Sequence, residues 1–215
     1  VGSEDLAVYT RLIVQGEFFA SFDESGLAFL EEWHATPGDR SAAWIGPEIT
    51  SGMSAAFQQD ALGVMTNGTV YGDDLDGARH LSLTSIADVL ARDYAYDRQC
   101  FGRRFTAIEP VAGAVAGHSI APADGGAPLA NGVGSVIFDR TTANGRRIDV
   151  TLPLDLSDLA VPTERSADAR SASARLIGDV LALFDTPPGT AVDAPARPIA
   201  DAMALSIHPN PFNPT

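Results

Sequence analysis

The sequence predicts a three-layer α/β fold in which a parallel, flavodoxin-like sheet carries helices on both faces. Three observations lead to this prediction: two short apolar strand segments, the amphipathic helix between them, and a long amphipathic helix that ends near residue 184. Strand and helix alternate from residue 6 to residue 64, and such connections join parallel strands. A β-hairpin region is added to this unit, and a proline-rich linker follows it.

The first two strands and helices alternate in the order strand, helix, strand, helix. The apolar runs 12–14 and 42–45 predict strands buried on both faces. Between them, residues 21–24 have the spacing of a capping box, and Pro-Gly-Asp at 37–39 ends the helix that follows. A second helix is predicted over 51–62. The apolar helix faces consist of Leu27, Leu30 and Trp33, and of Met53, Phe57 and Ala61.

The rest of the chain is less regular. Residues 84–92 predict a short helix, and residues 105–120, rich in Val, Ala and Gly, predict strands with bulges or turns. Asn144-Gly145 is the strongest hairpin signal in the chain, with a partner strand over 148–154. An amphipathic helix over 170–184 completes the predicted domain.

Composition divides the chain into three parts. Residues 1–184 form the predicted α/β domain, and residues 185–204, rich in Pro and Ala, form a semi-rigid linker. Residues 205–215 are expected to begin a further β-sandwich domain. Because the chain starts on Val1 without a basic, apolar leader, we expect an N-terminally truncated fragment of a longer protein.

The charge balance restricts the possible partners. The net charge is −14, and all 14 basic residues are arginine. Nucleic acids and anionic membranes need a basic surface, so neither is an expected partner. The apolar runs are too short for insertion into a membrane. A high-GC genome and adaptation to salt both account for the absence of lysine, and the sequence does not separate them.

Cys100, the only cysteine in the sequence, is a candidate nucleophile. Arg98, Arg103 and Arg104 lie close to it in sequence, and cationic neighbours favour the thiolate. His80 or His118 would then act as the base. The competing interpretation is a small, partly buried apolar residue.

The acidic loop Asp73, Asp74 and Asp76 is a candidate calcium site, because Ca²⁺ prefers carboxylate oxygens. It lacks the spacing of a complete EF-hand loop, and a solvated acidic turn is the alternative. The four histidines are too scattered for a zinc site, and no glycine-rich phosphate loop follows a strand. No other cofactor is expected. Trp33 and Trp44 are expected to pack in the core.

The tail Pro209-Asn210-Pro211-Phe212-Asn213-Pro214 resembles the opening of the C-terminal sorting domains of bacterial proteins exported by the type IX system. Immunoglobulin-like domains related to the flagellar hook-capping protein begin in a similar way. The resemblance implies a protein that is secreted or held at the cell surface. It also implies that the secretion machinery is a partner through the C-terminal domain.

The order of elements is similar to that of glutamine-amidotransferase-like, flavodoxin-like domains of large secreted bacterial proteins. The matching residues are Tyr9, Ile13, Val14 and Gly16; Leu30 and Trp33; Trp44-Ile45-Gly46; and Ala174-Arg175-Leu176-Ile177 through Phe184. Active members of that superfamily carry a cysteine on a strand-to-helix elbow, aided by a histidine. The corresponding segment 45–49 contains neither Cys nor Ser.

These observations lead to the expectation of a non-catalytic accessory or interaction domain that packs against an upstream domain of the same polypeptide. Two alternatives stay open. The first is a divergent extracellular hydrolase or amidotransferase-like enzyme that uses Cys100. The second is the C-terminal part of a secreted peptidase whose catalytic residues lie upstream.

Overall fold

The computed structural model describes residues 8–16, 22, 24–71, 80–85, 90, 92–97, 104–122, 132–156, 159–160, 169–187 and 202–207. The strands are β1 (Arg11–Gly16), β2 (Arg40–Ile45), β3 (Val64–Tyr71), β4 (His80–Ser85), β5 (Tyr94–Asp97), β6 (Arg104–Pro110), β7 (Val115–Pro122), β8 (Val133–Thr142), β9 (Gly145–Leu152), β10 (Leu159–Ala160) and β11 (Ala202–Ile207). The helices are α1 (Glu24–Ala35), α2 (Ala55–Asp60) and α3 (Ala169–Phe184).

Nine of these strands form one mixed sheet in the order β10-β5-β4-β7-β8-β9-β2-β1-β11. Strands β11, β1, β2 and β9 run parallel, whereas every pairing from β9 to β10 is antiparallel. The α/β class is therefore confirmed, but the prediction of a parallel sheet is wrong for the second half. A loop of two residues joins β8 to β9, and so short a connection can join only antiparallel strands.

A separate two-stranded sheet consists of β3 and β6. The register between the two strands shifts between Thr66 and Thr69, where Gly68 has a φ of +88°. Val64 and Ile108, at the base of this sheet, are fully buried and belong to the same core cluster as Trp44. The small sheet therefore packs on the large one.

The two faces of the large sheet form two hydrophobic cores. Ile13, Ala43 and Val150 face α3, and Leu176 and Val180 cover them. The neighbouring positions on the strands face the other way and pack against α1, α2 and the β3–β6 sheet. This alternation along each strand places helices on both sides of the sheet, as predicted.

Two of the three described helices match their predictions, and the third is shorter than predicted. Helices α1 and α3 confirm the periodicities that predicted them. Helix α2 is shorter than the predicted 51–62, because Ser54 caps its start by accepting a hydrogen bond from the amide of Phe57. The helix predicted over 84–92 is wrong at its start, where Thr84 and Ser85 belong to β4 and pair with β7.

The two tryptophans lie in the core, as predicted: Trp33 is 2% exposed and Trp44 is fully buried. Strand β11 spans the boundary predicted at residues 204 and 205, and it pairs with β1. Residues 188–201 lie outside the described part of the chain, so the division into domain and linker stays a prediction. Among the described helices, none is long and apolar enough to cross a bilayer.

Candidate functional site at the carboxyl ends of the parallel strands

The carboxyl ends of parallel strands are where α/β proteins bind ligands, so this edge of the sheet is the first candidate site. Strand β1 ends here at Gly16, and Gly46 directly follows the last residue of β2. Gly46 has a φ of +149°, and a Cβ on it would collide with the carbonyl oxygen of Gly16. Its amide donates to the carbonyl of Leu152 at the end of β9, at 2.9 Å. Only glycine fits where these strand ends come so close together.

The chain then turns through residues 47–50, and we call this turn the elbow. It overlaps segment 45–49, where the resemblance to amidotransferase-like domains would place a nucleophile. Pro47, Ile49 and Thr50 are buried, and Glu48 is partly exposed. Strand β6 covers this elbow. The amide of Thr106 donates to the carbonyl of Pro47 at 2.8 Å, and the Thr106 hydroxyl donates to the same oxygen at 3.1 Å.

A buried cluster of polar side chains lies deeper on the same face of the sheet, around Asp149 of β9. The Trp44 Nε1–H donates to Asp149 Oδ1 at 2.9 Å. His34 Nε2 and Arg140 Nη1 both donate to Asp149 Oδ2, each at 2.9 Å. Asp149 is 1% exposed, so its carboxylate joins α1, β2 and β8 to β9 in the absence of bulk water. We call these four residues the Asp149 cluster.

The hydrogen bonds of the Asp149 cluster define the tautomer of His34. A carboxylate accepts only, so Nε2 of His34 carries a proton. Arg140 Nη2 lies 3.3 Å from the same nitrogen; both groups are donors, and the carboxylate that accepts from each of them offsets their repulsion. The His34 ring also packs edge-on against Phe57, at 5.9 Å between ring centres. An aspartate that orients a histidine is a familiar element of general-base sites, but here the same carboxylate also holds an arginine and a tryptophan.

Arginines occupy the opposite edge of the sheet, at the amino ends of the parallel strands. We call Arg11, Arg40, Arg146 and Arg147 the amino-end arginines. Arg147 is 1% exposed and donates to the carbonyls of His34 and Thr36 at 3.0 and 2.7 Å, and also to that of Gly38. These carbonyls belong to the last turn of α1 and the residues after it, where the helix dipole is negative.

The other amino-end arginines also hold helix ends. Arg40 donates to the carbonyls of Thr36 and Tyr9 and lies 5.1 Å above the Trp33 ring. Arg146 pairs with Asp139 and bonds the carbonyl of Thr186 just after α3, and Arg11 pairs with Asp185 in the same segment. Burial lowers the pKa of Arg40 and Arg147, whereas the hydrogen bond to Asp139 raises the pKa of Arg146.

His118, one of the candidate bases, lies on β7 between β4 and β8 and is fully buried. Nε2 lies 3.1 Å from the carbonyl of Arg92, which only accepts, so Nε2 carries the proton. Nδ1 therefore accepts from the hydroxyl of Ser135 at 2.8 Å. Both ring nitrogens are thus bonded in the neutral form. Burial lowers the pKa of His118.

Tyr94 packs edge-on against the His118 ring at 6.0 Å between ring centres. Its hydroxyl donates to Asp179 of α3 at 2.9 Å. Burial and this hydrogen bond raise the pKa of Tyr94. The ring of His118 is therefore closed off from solvent by groups that bind one another.

The structure describes only some of the predicted site residues. His118 is described in full, and His80 lies in β4 opposite Asp97, with its side chain outside the described residues. Cys100 and the acidic residues Asp73, Asp74 and Asp76 also lie outside them. The nucleophile and calcium hypotheses therefore stay predictions. Among the residues that the structure does describe, no three His, Cys, Asp or Glu side chains form a metal-binding group.

Sequence reasoning missed the Asp149 cluster and the amino-end arginines. A signal for both was present in β9, where Arg147, Asp149 and Thr151 alternate with Ile148, Val150 and Leu152. An alternation of polar and apolar residues normally indicates a strand with one face in solvent. Here the polar face is buried as well, and Thr151 Oγ1 is a buried atom without a hydrogen-bond partner among the residues that the structure describes.

Comparison with known proteins adds no family assignment. No protein-family model matches this sequence, and no curated protein matches it significantly.

Proposed function

We propose that this chain is a non-catalytic accessory or interaction domain of a secreted, multidomain bacterial protein. The covered elbow after β2 carries the proposal. A nucleophile elbow works because its side chain is exposed at the end of a strand. In this chain the elbow begins with a buried proline, and strand β6 binds the carbonyl of that proline through Thr106. The position offers a packed surface in place of a nucleophile.

The finer assignment of the fold belongs to the same proposal. We interpret the parallel strands β1, β2 and β9, with α1 and α3 on opposite faces, as a flavodoxin-like scaffold of the amidotransferase-like type. The antiparallel strands between β2 and β9 would then be an insertion into that scaffold. An inserted sheet that packs over the elbow is consistent with a domain that supports or binds rather than catalyses.

The proposed partners are an upstream domain of the same polypeptide and, through the C-terminal domain, the secretion machinery. Support for the second comes from the motif Pro209–Pro214. The acidic, lysine-free composition argues against both nucleic acid and an anionic membrane as partners. The protein would be secreted or held at the cell surface.

Chemical labelling tests the non-catalytic assignment. We would treat the folded chain with iodoacetamide and with a fluorophosphonate, and map adducts by mass spectrometry. We expect Cys100 to react no faster than in the urea-unfolded chain, with no adduct on serine. Alkylation of Cys100 more than about tenfold faster than in urea, or a stoichiometric serine adduct, would favour the hydrolase or amidotransferase-like alternative, because activated nucleophiles react this way.

Two further measurements address the remaining parts of the proposal. Casein hydrolysis by the full-length protein, compared with this chain, tests whether a peptidase lies upstream.

Fractionation of a host culture tests export. We expect the full-length protein at the surface or in the medium, and a protein that ends at residue 204 inside the cell. Equal export of both proteins would refute the sorting role of the tail.

A further inference from the structure

The pairing between β7 and β8 is the most irregular part of the large sheet in the described residues. Its register shifts between Ala116 and His118 and again between His118 and Ser119. Such irregularities interrupt the ladder of backbone hydrogen bonds and weaken it locally. We call this pairing the β7–β8 seam. Strands β4, β5 and β10 are attached to the sheet beyond it.

The side chain of His118 bridges the seam. It accepts from Ser135 on β8 and donates to the carbonyl of Arg92, which precedes β5. Ser135 and His118 are both fully buried. A Cβ on Gly117 would collide with the Ser135 hydroxyl, so the glycine allows the two strands to come this close.

The charged and titratable groups around the ring act in opposite directions. The carboxylates of Asp93, before β5, and of Asp179, on α3, favour the protonated imidazole, as does the carbonyl of Arg92. Tyr94 of β5 faces the ring but stays neutral, because its own pKa is raised. Burial favours the neutral imidazole and is the largest of these effects. On β4, Ser85 lies opposite His118 in the register.

The parallel half of the sheet is held largely by arginines, which do not titrate near neutral pH. Arg40 and Arg147 hold the end of α1, and Arg140 binds Asp149. Guanidinium groups stay charged at every physiological pH. The histidine among the described residues of this half, His34, hydrogen-bonds to the Asp149 carboxylate at 2.9 Å, whereas His118 has no carboxylate as a hydrogen-bond partner.

We propose that His118 is an acid-sensitive latch for the β7–β8 seam: in mild acid, protonation of its ring favours separation of β7, β4, β5 and β10 from β8, while the parallel half stays folded. The closed seam buries the imidazole and so favours its neutral form, whereas in the open seam the ring meets water and binds one proton from solvent. This inference concerns a conformational equilibrium and does not depend on the proposed function.

The direction and size of the effect follow from proton linkage. Burial holds the pKa of His118 below its ordinary 6.5 in the closed state. In the open state the solvated ring should have the ordinary pKa of a histidine. The closed seam therefore has its full stability above pH 6.5 and loses it as the pH falls below this value. Between pH 7.5 and 5.5 the open population should rise about tenfold while the folded ring stays neutral.

Amide hydrogen exchange of the whole chain at pH 7.5 and 5.5, corrected for the intrinsic rates, tests the proposal. We expect the amides of β7 to lose about tenfold in protection, while those of β1, β2 and β9 change less than about twofold. The variant His118→Gln should remove the difference between the two pH values. The matched control His34→Gln, in the parallel half, should keep it.

An independent measurement covers the case in which His118→Gln does not fold. The imidazole resonances of His118 in the unmodified chain can be titrated by NMR. A ring that titrates at or above the ordinary histidine value would overturn the proposal, as would equal pH dependence in both halves of the sheet. Retention of the β7 effect in His118→Gln would also overturn it.

Discussion

At the scale of single residues, the arginine side chain explains how this acidic chain holds the ends of its helices. One guanidinium has five N–H donors in a rigid plane, and Arg147 uses them on the carbonyls of three residues at and after the end of α1. A lysine at the same position would present a single ammonium with a different geometry. The arginine-only composition therefore has a structural use at this buried site.

Arg147→Lys should lower the free energy of unfolding by about 2–3 kcal/mol, because buried carbonyls of α1 lose charged donors. Guanidinium-chloride unfolding of both proteins measures the change. The matched control is Arg92→Lys, since the Arg92 side chain is 59% exposed and should change stability by less than about 0.5 kcal/mol. Equal effects of both substitutions would contradict this role for Arg147.

Asp149→Asn should lower the free energy of unfolding by about 3–5 kcal/mol. The substitution leaves the partly buried cation of Arg140 without the fully buried carboxylate that accepts from it, and removal of one partner from a buried pair is costly. Asp185→Asn, in the more exposed pair with Arg11, is the control and should cost about 0–1 kcal/mol. The same unfolding titration compares them, and a cost below 1 kcal/mol for Asp149→Asn would show that the cluster contributes little.

At the scale of elements, the contact between β6 and the turn after β2 determines how much of the carboxyl-end edge of the sheet is covered. Gly46 lets strands β1 and β2 end side by side, and Thr106 binds the carbonyl of the next residue. Two elements more than 50 residues apart in the chain thus build one buried corner. The elbow is held by the small sheet that packs on it.

Thr106→Val tests this contact, because valine has the same shape and lacks the hydroxyl. The backbone bond to Pro47 remains, so we expect a loss of about 1 kcal/mol in unfolding free energy, with faster amide exchange in segment 47–50. Thr69→Val is the control, since Thr69 lies directly opposite in the β3–β6 register and is exposed. If exchange in 47–50 is unchanged by Thr106→Val, the hydroxyl does not secure the elbow.

At the scale of the whole molecule, the net charge of −14 opposes folding through repulsion between surface carboxylates. The amino-end arginines reduce this repulsion at one edge of the sheet only. Salt screens it everywhere, because the Debye length falls from about 30 Å at 0.01 M to about 3 Å at 1 M. Stability should therefore depend on ionic strength in the direction opposite to that of a protein held by surface ion pairs.

The melting temperature should rise by a few degrees between 10 mM and 500 mM NaCl, since a gain of about 1 kcal/mol shifts a chain of this size by about 2–4 °C. Thermal unfolding followed by circular dichroism measures it. The double variant Glu31→Gln and Glu32→Gln, on the exposed face of α1, should melt higher at low salt and respond less to salt. A melting temperature that falls with salt would mean that attractive ion pairs dominate.

Local patterns in the sequence were sufficient for several elements of the fold. The apolar runs of β1 and β2, the periodicities of α1 and α3, and Asn144-Gly145 each involve neighbours in the chain. The end of β4, at Thr84 and Ser85, was mistaken for helix because the hydrophobic period is ambiguous over so few residues, and pairing with β7 settles it. For the candidate site, His118 was singled out from sequence, whereas its partners Ser135 and Arg92 were not.

The amino-acid sequence alone predicted the α/β class. It also determined the acidic, lysine-free character and the tail that resembles a sorting motif. The mixed direction of the sheet, the covered elbow, the Asp149 cluster and the β7–β8 seam emerge only in the folded molecule. The physical reason is the separation in sequence between the residues that interact. Helix periodicity and turn chemistry act between residues a few positions apart, whereas a contact such as His34 with Asp149 joins residues 115 positions apart. Only the packing of α1 on the sheet brings those two side chains within 2.9 Å.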